Sequence, residues 1–141
     1  MILYLDASSL IKLFIWESDS RKVETLVSGA FAIATSRIAY AETISAFRRL
    51  LENRNLTPSD FDKAIGEFRK FWPTLSGLDF DETSAADVSI RHNLRALDAI
   101  HLSTAISFLD PFSNSDVPAY FSSFDKRLNV AAQLSGLSMP D

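Results

Sequence analysis

The chain opens with an apolar run, Ile2-Leu3-Tyr4-Leu5, that gives way to Asp6-Ala7-Ser8-Ser9, a pattern that predicts a buried strand turning into a helix. Helices are predicted at about 9–15 and 19–28, the second stopped by Gly29, and Phe31-Ala32-Ile33-Ala34-Thr35 reads as a second strand. Over 37–53, Tyr40, Ile44, Phe47 and Leu51 recur at i, i+4, i+7 and i+11, the apolar stripe of a long amphipathic helix. Thr57 is placed to cap the next helix, with Pro58 at its first position and Asp60 favourable to its dipole. Phe61, Ile65, Phe68 and Trp72 repeat the spacing until Pro73, so these two helices form a hairpin. The pattern then predicts a strand at 78–80, helices at 82–92 and 96–109, and a polar loop from Asp110 to Pro118. A strand at 119–122, a helix at 125–135 ended by Gly136 and a short last strand at 137–139 complete it.

Strands alternating with helices predict a parallel sheet covered on both faces, here within one domain spanning 1–141. Right-handed crossovers put the carboxyl ends of all strands along one edge, and ligands of open α/β sheets bind beyond that edge. Asp6 directly follows the first strand, and Asp125 closely follows the strand at 119–122, so both fall there. Either is equally suited to capping the helix that follows it. Asp98 carries more information, because it heads the Leu102, Ala105 and Leu109 stripe that should face the core. A carboxylate there needs a cation, a proton or strong donors. Glu42 falls nearly opposite the stripe of its own helix, beside Ser45 and Arg49, which does not separate a solvent-facing glutamate from a cleft-facing one.

Composition narrows the chemistry. The chain has 141 residues, 47% hydrophobic, and no cysteine. Thiolate metal sites, disulfides and cysteine nucleophiles are thereby excluded, and a reducing cytoplasm is the expected compartment. No apolar stretch approaches the ~18 residues of a membrane span, so no membrane association is expected. Any metal must be held by oxygen or by His92 or His101, and both histidines read better as packed or surface residues than as ligands. The net charge of -4 argues against nucleic-acid binding through bulk electrostatics, unless several acids are gathered in one pocket and neutralised by divalent cations. Seven of the 14 Lys and Arg residues lie between Arg37 and Lys70, as expected of a solvated helical face.

Four segments, in order, resemble the motifs of PIN-domain ribonucleases, especially the VapC-like toxins of type II toxin–antitoxin systems. Leu5-Asp6-Ala7-Ser8-Ser9-Leu10-Ile11-Lys12-Leu13-Phe14 is similar to their opening, and Ala41-Glu42 to their second acid. Leu94-Arg95-Ala96-Leu97-Asp98-Ala99-Ile100-His101-Leu102 resembles the segment with the third, and Ser123-Phe124-Asp125-Lys126-Arg127-Leu128 the last motif. The resemblance implies a three-layer α/β/α PIN-like fold, with a central mostly parallel sheet of four or five strands and an inserted helical hairpin. It implies that Asp6, Glu42, Asp98 and Asp125 are the catalytic acids and bind Mg²⁺ or Mn²⁺, with Ser8 and Ser123 hydrogen-bonding inside the site. Because the family varies most around its fourth acid, Asp116 remains a rival to Asp125.

The function so implied is metal-dependent endoribonuclease cleavage leaving 5′-phosphate and 3′-hydroxyl ends, with an RNA substrate and a cognate antitoxin as partners. Arg48, Arg49 and Arg95 are candidates for holding the RNA backbone. The exposed-looking aromatic hairpin (Phe61, Phe68, Phe71, Trp72) suggests an antitoxin contact or a homodimer, although ordinary core packing accounts for it as well. A PIN-like scaffold that binds a protein or RNA partner without catalysis is the competing reading. A haloacid-dehalogenase-like phosphatase fits poorly, because Ser8 stands where its second Asp should be. A receiver domain would want paired acids after the first strand and finds only Asp6.

Overall fold

The computed structural model describes all residues, 1–141. The element order is β1 (Ile2–Leu5), α1 (Ala7–Ile11), α2 (Ser20–Gly29), β2 (Ala32–Ser36), α3 (Ala39–Glu52), α4 (Pro58–Phe71), β3 (Ser76–Leu78), α5 (Glu82–His92), α6 (Ala96–Leu109), β4 (Ala119–Ser122) and α7 (Lys126–Leu134). Single 3₁₀ turns follow α4 and α6.

The four strands form one sheet in the order β3-β2-β1-β4, and every pairing is parallel. The chain builds outward from β1 through β2 to β3, then returns to pair β4 on the other side of β1, with Leu5 opposite Ser122. The order therefore reverses between β1 and β4, and a crevice opens at the carboxyl ends of strands at such a point.

β1 is buried along its whole length because both of its faces are covered. Ile2 and Tyr4 share a core with Phe121 of β4 and with Val88, Leu102, Leu109, Leu128 and Ala131 from the layer of α5, α6 and α7. Leu3 and Leu5 point the other way, against Leu10, Val23, Ala39 and Leu75. This alternation across a strand makes the three layers.

The helical hairpin of α3 and α4 has a small core of its own, Phe47, Ala64 and Phe68, closed by Phe14, Tyr40, Phe61 and Trp72. Phe68 is fully buried, and Phe61, Phe71 and Trp72 are partly so. The hairpin aromatics are thus spent largely inside the molecule. Thr57 caps α4, accepting from the Asp60 N–H at 3.1 Å, and Pro58 opens the helix.

Three expected boundaries move. The first helix begins directly after Asp6 and ends at Ile11, because Asp6 itself caps it. The third strand lies at 76–78 rather than 78–80. Gly77 passes beneath Trp72, where an added Cβ would stand 3.2 Å from the indole, and the Arg37 N–H donates to the Leu78 carbonyl at 2.9 Å. No strand forms at 137–139; the Phe121 N–H donates to the Ser138 carbonyl at 2.9 Å, but the segment does not join the four-stranded sheet. No helix is long and apolar enough to cross a membrane.

Candidate active site

Asp6 is buried at the carboxyl end of β1, and its two oxygens are held from three directions. Oδ1 accepts from the Ser8 hydroxyl at 2.7 Å and from the Ser9 N–H at 2.9 Å. Oδ2 accepts from the Ser123 hydroxyl at 2.7 Å. Ser8 in turn accepts from the Phe124 N–H at 2.9 Å, and Ser123 from the Asp125 N–H at 3.0 Å. One carboxylate thereby fastens the start of α1 to the segment leaving β4, across the switch point of the sheet. Burial pushes the Asp6 carboxyl above the usual range, against the opposing pull of His101 and of its hydrogen-bond donors.

Asp125 is linked to Asp6 through Ser123. It also caps α7, accepting from the Leu128 N–H at 3.0 Å. Both strand-end aspartates are therefore helix caps and members of one hydrogen-bonded cluster.

Asp98 sits half-buried in the first turn of α6 and shares with Asp125 a cavity of about 230 Å³, lined also by Leu94, Arg95 and Arg127. Burial raises the Asp98 carboxyl, and the negative charges of Asp125, Asp6 and Glu42 raise it further while His101 opposes them. The other three predicted acids thus lie within electrostatic reach of this one group. A larger cavity, about 360 Å³, lies between the connection after β3 and α6, and none of the four acids lines it.

Glu42, in the first turn of α3, points into the molecule. Its side chain is only 20% exposed, and Oε1 accepts from Nε2 of His101 at 2.7 Å. His101 is the residue that sequence reasoning undervalued. It is buried, and its other ring nitrogen lies 3.0 Å from the Tyr4 hydroxyl. The available signal was its place one turn beyond Asp98 on a helix whose other residues are almost all apolar or small, since a buried imidazole needs partners. His92 lies instead at 3.2 Å from the Ser135 hydroxyl, linking α5 to the end of α7.

Asp116 is exposed in the loop before β4, and Pro118, two residues on, accepts from the Ile2 N–H at 2.8 Å. It therefore stands at the amino end of the sheet, opposite Asp6. Of the arginines, Arg95 lines the acid cavity, together with Arg127, which donates to the Asn93 carbonyl at 2.8 Å. Arg48 pairs with Glu52, and Arg49 donates to Ser45 at 3.3 Å, both along α3.

The donor set is made of carboxylates, which suits a hard divalent cation and no soft one. Repulsion among the ionised carboxylates would be relieved when such a cation is taken up. In the geometry described, no three Asp, Glu or His side chains converge as ligands on one point. Asp6 is turned to its serine donors and Glu42 to His101, while Asp98 and Asp125 face the shared cavity.

Comparison with known proteins agrees with this architecture. Residues 3–133 match the family model described as "PIN domain". Two curated relatives from strains of Mycobacterium tuberculosis, Ribonuclease VapC45 and Ribonuclease VapC49, are each 30% identical over 138 residues, covering 96% of this chain and 92% of the relative. The chain belongs to the PIN-domain family.

Proposed function

We propose that this protein is an endoribonuclease that hydrolyses RNA phosphodiester bonds with the help of Mg²⁺ or Mn²⁺, and that it is the toxin of a toxin–antitoxin pair. The observation that carries the proposal is Asp98, a carboxylate in a small cavity at the switch point, crowded by the charges of Asp125, Asp6 and Glu42. The relatives are named ribonucleases, and RNA cleavage is what the PIN-domain resemblance implies for such a group of acids.

Asp6, Glu42, Asp98 and Asp125 would hold the cation, which supplies an activated water and charge neutralisation for in-line displacement at phosphorus. The chain's own groups do the rest. Ser8 and Ser123 fix the direction of Asp6. Arg95 and Arg127, at the wall of the same cavity, are placed to take the phosphates flanking the scissile bond. Arg48 and Arg49 fit that task less well, being engaged along α3. The antitoxin would cover this cavity, and pairing of two copies belongs to the same reading. The hairpin aromatics no longer argue for either, since they pack inward.

The test is cleavage of structured RNA by purified protein in Mg²⁺ or Mn²⁺, with Asp6→Asn and Asp98→Asn beside it. Cutting is expected to stop in both variants and on chelation. Full cutting by both variants rejects the mechanism. RNA or protein binding without cutting or Mn²⁺ uptake would identify the non-catalytic scaffold instead.

A further inference from the structure

Tyr4, His101 and Glu42 form a continuous hydrogen-bonded chain from the middle of the sheet to the acid cluster. His101 is 2% exposed and Tyr4 fully buried, so the bond between them is shielded from bulk water, while Glu42 at the far end stays partly open. A carboxylate only accepts, so the proton between His101 and Glu42 belongs on Nε2, at 2.7 Å. When the imidazole is neutral, the Tyr4 hydroxyl donates to Nδ1 at 3.0 Å; when it is protonated, Nδ1 donates to the Tyr4 oxygen and the chain stays joined. The tyrosine thus selects the tautomer that His101 presents to Glu42.

The three elements joined are those that carry the first three acids. Tyr4 lies two residues before Asp6 on β1, Glu42 lies on α3, and His101 lies one turn after Asp98 on α6. A glutamate with access to water needs no buried imidazole for solvation. What the imidazole adds is direction: with Oε1 engaged, Oε2 is left for a ligand. We propose that His101, braced by Tyr4, is a positioning residue that holds Glu42 as a cation ligand and thereby sets the affinity of the acid cluster for its metal. The inference rests on the metal-dependent reading given above.

The experiment is calorimetric titration of Mn²⁺ into RNA-free protein, with thermal melts to verify folding. His101→Leu, which removes the donor, is expected to weaken Mn²⁺ binding by about 10–100-fold, the usual cost of losing the partner that orients a ligand. His101→Gln, whose amide can place a donor near the position of Nε2, should recover most of the affinity. Tyr4→Phe, lacking one oxygen, should give a smaller loss. In a Glu42→Gln background, His101→Leu should cost nothing further.

Wild-type affinity in His101→Leu overturns the proposal, and so does an equal loss with Glu42 already replaced. Should His101→Leu fail to fold, Tyr4→Phe decides: undiminished Mn²⁺ binding there overturns the proposal. A wild-type protein that takes up no Mn²⁺ sinks the metal-dependent reading itself, whereas normal uptake with indifferent variants sinks only the role of His101.

Discussion

Asp98 is held in an uncomfortable state by its surroundings. Its carboxyl is raised first by burial and then by three like charges, so the folded chain binds that proton more tightly than the unfolded chain does. The stabilisation this gives is complete below the ordinary carboxylate range and is lost as pH rises through the raised range. Metal-free protein should therefore lose stability on going from about pH 4 toward neutrality, to the extent that Asp98 and Asp6 dominate the balance. Asp98→Asn should flatten that fall and raise the neutral-pH melting temperature of the metal-free protein, and on the proposed mechanism it should stop cutting. Melts in chelator across pH check it, and an unchanged profile would contradict the account. At this scale the sequence was informative wherever position implied burial. Asp98 heads an inward stripe, and that alone marked it. Glu42 and His101 were opaque because each looks ordinary on its own helix, and only the tertiary bond between them, 59 residues apart, gives either a purpose.

Among elements, helices with strong local signals were read closely. The predicted 82–92 and 96–109 match α5 and α6, and Thr57-Pro58 marks the start of α4. Thr57→Ala should cost about 1 kcal/mol in denaturant melts and leave RNA cutting intact, because the cap lies far along the chain from every acid. An effect on cutting with stability unchanged would show that the hairpin serves the site directly. Short strands were harder. Leu78-Asp79-Phe80 has the right alternation, yet Phe80 is exposed and β3 begins two residues earlier, where Gly77 lets Trp72 approach. α6 shows the opposite difficulty. Ala99, His101, Leu102, Ser103, Thr104 and Ala105 are all buried, so the helix is enclosed on several sides and no single stripe describes it.

For the molecule as a whole, alternation of strand and helix predicted the layered parallel sheet, but the strand order could not be read from local pattern. That order is what brings Asp6 and Asp125 together. On the proposed reading, a cation drawn to the acids of β1, α3, α6 and the β4–α7 connection would tie the layers together, so binding should stabilise the entire fold. At 100 times its dissociation constant, Mn²⁺ should add about 2.7 kcal/mol, on the order of 10 °C in melting temperature for a chain of this size. Asp98→Asn should show almost none of this shift in a thermal-shift titration; a shift equal to wild type would place the cation elsewhere.

The pairing of β1 with β4 has a consequence for how the protein comes into being. Asp6 accepts a hydrogen bond from the Ser123 hydroxyl, 117 residues further on, and β4 beside it is the last of the sheet's four strands in chain order. A nascent chain carries Asp6, Glu42 and Asp98 before β4, but the segment that hydrogen-bonds Asp6 and brings Asp125 beside it comes only with β4 and the turn after it. On the nuclease reading, a chain that has not yet supplied β4 and Asp125 should therefore be unable to cut RNA.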